Sequence, residues 1–113
     1  MHEAAIAQSV IEIAEGVARQ RGSTNVRKIK LRIGEFRGVV GEALEFSFQA
    51  LKKGTLTENA ELEIESVRLR VECRNCAGID VAMDDFNLIC PGCGELLNIT
   101  AGREMQVEYV EID

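Results

Sequence analysis

The sequence predicts an α+β fold: two helices packed on a three-stranded sheet, with an inserted zinc-ribbon-like module. Two stretches repeat their apolar residues with helical spacing, and three alternate apolar and polar residues with the period of a strand. Four cysteines stand as two C-x-x-C pairs between the second and third alternating stretches. A chain of 113 residues, 46% of them hydrophobic, suits one ordinary domain with a small appended unit. Its aromatics are four Phe and one Tyr, without Trp, so a core of Ile, Val, Leu and Ala is expected.

Residues 3–21 read as an amphipathic helix with Ile6, Val10, Ile13, Ala14 and Val17 on its apolar face. Glu15 and Arg19 form an i, i+4 pair, and Gly22 is a stop signal. In "VRKIKLRI", Ile29, Leu31 and Ile33 alternate with Lys28, Lys30 and Arg32, which predicts a strand with one wet face. Gly34, Gly38 and Gly41 mark a loop. A second helix is expected over 42–53, with Leu44, Phe48 and Leu51 on one side and Lys52 and Lys53 in its last turn, before Gly54.

The segment "ELEIESVRLRVE" reads as one strand whose phase switches near Glu65-Ser66, as at a bulge. "REMQVEYVEI" is a third strand, with Met105, Val107 and Tyr109 in phase. The cysteine segment, 72–97, would then be an insertion at the tip of a hairpin. The expected division is residues 1–71 plus 98–113 for the helix–sheet domain and 72–97 for the metal module. Opposite charges favour neighbouring strands. The Lys28/Lys30/Arg32 face is therefore expected beside Glu61, Glu63 and Glu65.

The net charge is -6, and no apolar run is long enough to span a membrane. The first twenty residues hold Glu3, Glu12 and Glu15 without a basic start, unlike a secretory signal. A soluble, cytoplasmic chain is expected, with its cysteines reduced and ligating metal.

Cys73, Cys76, Cys90 and Cys93, with 13 residues between the pairs, can aim four thiolates at one point. Such a set suits a tetrahedral S4 site, closed to water and therefore structural, with Zn2+ as the expected ion. Ile79, Val81, Phe86, Leu88 and Ile89 are most of the core such a module could have. Iron accepts the same ligands, so a rubredoxin-like electron carrier is an alternative, although Phe86 is the only aromatic residue in this module. A zinc-ribbon adaptor for nucleic acid is another. It is opposed by one basic residue, Arg74, against Glu72, Asp80, Asp84, Asp85 and Glu95.

His2 is the single histidine. Its imidazole, its amide nitrogen and the amine of Met1 can reach one ion through small chelate rings, a donor set that suits Ni(II) or Cu(II). Glu3 and Glu42 are candidate oxygen donors nearby. A closed thiolate site and an open nitrogen site in one chain suggest a metal carrier. No nucleophile–base pair and no P-loop is visible, so the chain is not expected to be an enzyme.

These residues resemble the HypA/HybF family of hydrogenase maturation proteins along the whole chain. The likeness lies in the "MHE" start, "KLRIGE", "EALEFSFQALKKGTL", "AELEIE" and the paired C-x-x-C before a last strand. Many members have proline where this chain has Gly41, and some carry histidines beside the cysteine pairs, which this chain lacks. The resemblance implies a nickel metallochaperone with nickel as cargo, held by His2 with main-chain nitrogens of Met1 and Glu3. It also implies zinc on the four cysteines. The partners it implies are the GTPase HypB and the [NiFe]-hydrogenase large subunit, which would receive the nickel. No nucleic-acid or membrane partner is expected, and a homodimer through exposed strands is left open.

Overall fold

The computed structural model describes residues 2–79 and 88–113. The chain runs α1 (Glu3–Gln20), β1 (Val26–Gly34), a 3-10 turn (Glu35–Arg37), α2 (Gly41–Leu51), β2 (Glu61–Val67), β3 (Arg70–Cys73), β4 (Ala77–Ile79), β5 (Asn98–Ala101) and β6 (Met105–Ile112). One sheet has the order β2-β1-β6, with β1 parallel to β2 and antiparallel to β6. The other has the order β4-β3-β5 and is antiparallel throughout. The two helices, the three-stranded sheet and the separate cysteine-bearing sheet make the α+β architecture read from the sequence.

The first core forms where both helices cover one face of the first sheet. Ile29, Leu31 and Ile33 of β1 are buried there against Ala7, Val10, Ile11, Ala14 and Ala18 of α1 and Leu44 and Phe48 of α2. The inward face of α1 thus carries Ala7, Ala14 and Ala18, and its most extensive packing is against α2. Ile13, expected inside, is 50% exposed at the flank, and Val17 is only half-buried. α2 ends two residues before its expected stop. Lys52 is its C-cap, with Lys53 beyond it, and Leu51 is exposed. The Lys52 ammonium donates to the Ala60 carbonyl at 3.3 Å, so it serves the turn into β2.

The segment 61–72 is not one bulged strand. It is two strands in two sheets, and the phase switch marks the passage of the chain from one sheet to the next. Nor do the second and third expected strands form a hairpin, because β1 lies between β2 and β6. A parallel β1–β2 pair needs a crossover, and α2 supplies it. Tyr109 is likewise out of the expected phase. A register shift between Lys30 and Leu31 turns Val110 and Ile112 inward and leaves Tyr109 opposite Lys30 on the wet face. The charged faces do meet as expected. Lys28, Lys30 and Arg32 stand opposite Glu61, Glu63 and Glu65, and ion pairs join Lys28 to Glu63 (3.1 Å), Lys30 to Glu65 (3.2 Å) and Arg32 to Glu65 (3.0 Å).

The second core holds Leu69, Val71, Cys73, Cys90 and Leu97, with Phe36, Leu88 and Ile99 against it. Of the core expected for this module, Leu88 takes part, while Ile89 is half exposed. The side chains of Ile79, Val81 and Phe86 lie outside the described residues, as do Asp80, Asp84 and Asp85. The second sheet begins at Arg70 and ends at Ala101.

The two sheets lie end to end. The radius of gyration is 17.4 Å, against about 13 Å for a compact domain of about this length. At the junction the Leu69 N–H donates to the Glu35 carboxylate at 2.7 Å, and the Phe36 N–H donates to the Gly102 carbonyl at 2.9 Å. Phe36 thereby leaves the first sheet and packs into the second core.

Candidate metal centres

Local backbone geometry builds the thiolate site. β3 ends at Cys73 and turns through Arg74, Asn75 and Cys76 into β4, where Ala77 pairs back with Cys73. A second turn is framed by the bridge between Ile89 and Leu96. Within it the Cys90 N–H donates to the Glu95 carbonyl at 2.7 Å, and the Gly94 N–H donates to the Cys90 carbonyl at 2.9 Å. Gly94 has φ +78°, which favours glycine.

These turns bring all four sulfurs within 4.8 Å of one another. A tetrahedral ion with metal–sulfur bonds of about 2.3 Å needs sulfurs separated by ~3.8 Å. The Sγ atoms of Cys73 and Cys93 are 3.5 Å apart, so the donor set fits a metal. The Gly92 N–H donates to Cys90 Sγ at 3.4 Å, and a Cβ on Gly92 would sit 3.5 Å from Cys76 Sγ. Glycine therefore lets the backbone lie directly on the cluster. The N–H of Asn75 lowers the Cys73 thiol to about 7, while Cys93 and Cys90 beside it push Cys76 up to about 12. Four sulfurs this close cannot all be thiolates unless a cation sits among them. Gly92 stands out in the sequence for the backbone freedom its turn requires, whereas Asn75 was not singled out; its signal was position, inside a C-x-x-C, where backbone N–H groups turn toward sulfur.

The other end of the molecule carries His2. It is the N-cap residue of α1, with φ -87° and ψ 112°. Its carbonyl accepts the N–H groups of Ala5 and Ile6, and its side chain makes no capping bond. The imidazole is therefore exposed and not committed to the helix end. The Glu3 nitrogen is one of the first helical N–H groups, which lack intrahelical acceptors. The Glu3 carboxylate accepts the Val40 N–H at 3.2 Å, and that bond holds it below the usual carboxylate range. It thus ties the start of α1 to the start of α2, where Glu42 sits exposed in the first turn. Met1 lies outside the described residues. Among the described residues, the four cysteines are the group of three or more metal-ligating side chains, and His2, Glu3 and Glu42 do not form a second. No helix among these residues is long and apolar enough to cross a membrane.

A family described as "Hydrogenase/urease nickel incorporation, metallochaperone, hypA" matches residues 1–112. The chain is 39% identical to the hydrogenase maturation factor HypA of Moorella thermoacetica, over 98% of each chain. It is 42% identical to that of Geobacter sulfurreducens, over the full length of both. In fold it is similar to a HypA solution structure, with a TM-score of 0.72 at 21% identity, covering 100% of this chain and 97% of that one. The nickel metallochaperone HypA of Helicobacter pylori gives a TM-score of 0.70 at 24% identity, over 99% of this chain and 97% of that one. The chain belongs to the HypA family, whose members are metallochaperones of hydrogenase maturation and not enzymes.

Proposed function

We propose that this protein carries Ni(II) at its amino terminus and delivers it to the large subunit of a [NiFe]-hydrogenase. The observation that carries the reading is the placement of His2: an exposed imidazole at the N-cap of α1, one peptide bond from Met1 and beside the Glu3 amide. Amine, amide and imidazole nitrogens at these positions suit nickel, and a site at an exposed terminus can release its cargo. Glu42 is a further oxygen donor only if it moves toward His2. The GTPase HypB is the proposed partner that supplies nucleotide energy, and the compartment is the cytoplasm.

Zn2+ is the ion proposed for Cys73, Cys76, Cys90 and Cys93. The S4 set leaves no open position, so the ion would hold the fold and take no part in the transfer. The division into a nickel-binding domain (1–71 plus 98–113) and a zinc module (72–97) belongs to the same proposal.

Nickel titration of three samples tests it: the native chain, a chain extended by one residue before Met1, and His2→Ala. Extension replaces the amine with an amide, so nickel binding weakens and its ligand-field spectrum changes, while zinc content stays constant. His2→Ala abolishes the same site. An extended chain with native affinity and an unchanged spectrum rules out the amine as a ligand.

A further inference from the structure

The first sheet is open along β6. Among the described residues no strand pairs with β6 on the side away from β1. Beside that edge, between α1 and the sheet, lies a cavity of about 530 Å3. Ala5, Ser9 and Ile13 of α1 form one wall, Met105 and Val107 of β6 contribute to the other, and His2 stands at one end. Leu31 and Ile33 of β1 also line it, and Ile13, on the α1 wall, is 50% exposed.

The register defines what the edge offers. The Gly34 N–H donates to the Glu104 carbonyl at 2.7 Å, so the backbone of Glu104 faces β1. By strand alternation the backbone of Gln106, opposite Arg32, also faces β1, while the N–H and C=O groups of Met105 and Val107 face outward. The residues whose side chains line the cavity thus also present backbone groups to an incoming strand. On its wet face β6 carries Glu108 and Glu111, and its one neighbour, β1, answers them with Lys28, Lys30 and Arg32 alternating with Ile29, Leu31 and Ile33.

We propose that this edge and cavity are a docking site for an extended segment of a partner protein that alternates apolar and basic residues. It pairs with Met105 and Val107, sets its apolar side chains under α1 and turns its basic ones toward Glu108 and Glu111. The added strand repeats on the open side of β6 the chemistry that β1 supplies on the other. The occupant would lie beside His2, but its binding does not depend on nickel.

The test uses the full chain, free of nickel, and a peptide matched to the eight residues of β6 that alternates Arg with Val. Binding should slow amide exchange at Met105 and Val107. Ile13→Asp places a charge in the cavity at a half-exposed site and should weaken binding by about tenfold or more. Val107→Pro removes an outward N–H without cutting the ladder to β1 and should do the same. If Val107→Pro does not fold, Ile13→Asp with its melting curve decides alone. The proposal falls if the peptide does not bind, if a peptide alternating Glu with Val binds equally, or if Ile13→Asp binds with native affinity. It falls too if the free chain dimerises and Ile13→Asp makes it monomeric, because the occupant is then a second copy. Ile13→Asp should bind Ni2+ as the native chain does, so loss of the nickel site and loss of the docking site can be told apart.

Discussion

Gly34 shows what a single residue decides here. A Cβ added to it would lie 1.9 Å from the Gly102 carbonyl oxygen, so the two backbones touch with no room for a methyl group. Gly102 is itself at φ +106°, with the Leu69 Cα 2.7 Å from where its own Cβ would be. Gly34→Ala must therefore separate the chain segments that join the two sheets. It should destabilise the protein by about 4 kcal/mol or more, in the range reserved for such clashes, whereas Gly16→Ala, with open space around it, should be neutral or stabilising. Thermal melts of both variants check this, and a Gly34→Ala protein that melts like the native one would show that the junction yields. The sequence presents Gly34 as a loop glycine but not the reason, because its partner is distant in the chain. The cysteines and His2 stand out in the sequence as candidate donors because their chemistry is local: spacing for the one, a terminal position for the other. That the Glu3 carboxylate accepts the Val40 N–H was not legible, since Val40 caps another helix.

Elements were read well where one face is wet. The alternation of "RKIKLRI" located β1, and the Lys28/Lys30/Arg32 set does meet the acidic face of β2. Strand order was not legible, because an apolar/basic strand suits acidic neighbours on either side, and β1 takes both β2 and β6. The register shift that turns Tyr109 outward, and the passage of the chain from β2 to β3 in another sheet, both break the period without naming their cause. The charged face also predicts a pH response. Lys28 and Lys30 hold Glu63, and Lys30 and Arg32 hold Glu65, below the usual carboxylate range, while Glu63 and Glu65 raise Lys28 and Lys30. A lowered carboxylate stabilises the fold fully above its ordinary value, and that stabilisation disappears as pH falls through the lowered folded value. A raised lysine stabilises below its ordinary value and loses the effect as pH rises through the raised one. Lys30→Met, which removes the ammonium shared by Glu63 and Glu65 and close to Glu108 (3.9 Å), should flatten the acid limb of a stability-versus-pH curve. Added salt should shrink the difference between the two proteins, since the face is partly exposed. Parallel acid limbs for both would mean that the ion pairs contribute nothing.

At the scale of the whole molecule, two cores of unequal kind share one chain. The first is apolar throughout and is closed by two helices over a sheet. The second has Cys73 and Cys90 among its buried members, so part of what fills it is thiol that could hold a metal ion. Without a cation the sulfurs repel as they ionise, and Leu69, Val71 and Leu97 are left to hold two turns together. Structural zinc supplies about 10–16 kcal/mol to small peptides of this kind, more than such a core can replace. The junction is not metal-dependent in the same way. The Glu35 carboxylate on the Leu69 N–H, the Phe36 N–H on the Gly102 carbonyl, and Arg103 over the Phe36 ring are bonds between the linkers themselves. Chelating the thiolate-bound metal should therefore release the ladder of the second turn, with fast exchange at the Cys90, Gly94 and Leu97 amides. Ile29 and Leu31 in the first sheet should stay protected. Leu69 lies at the boundary and reports on which unit owns it: retained protection places it with the Glu35 clasp, and lost protection with the metal. Hydrogen exchange before and after chelation measures all of these at once. Uniform loss, reaching Ile29 and Leu31, would show that the metal stabilises both sheets as one cooperative unit, and that Phe36 transmits the collapse of the second core to the first.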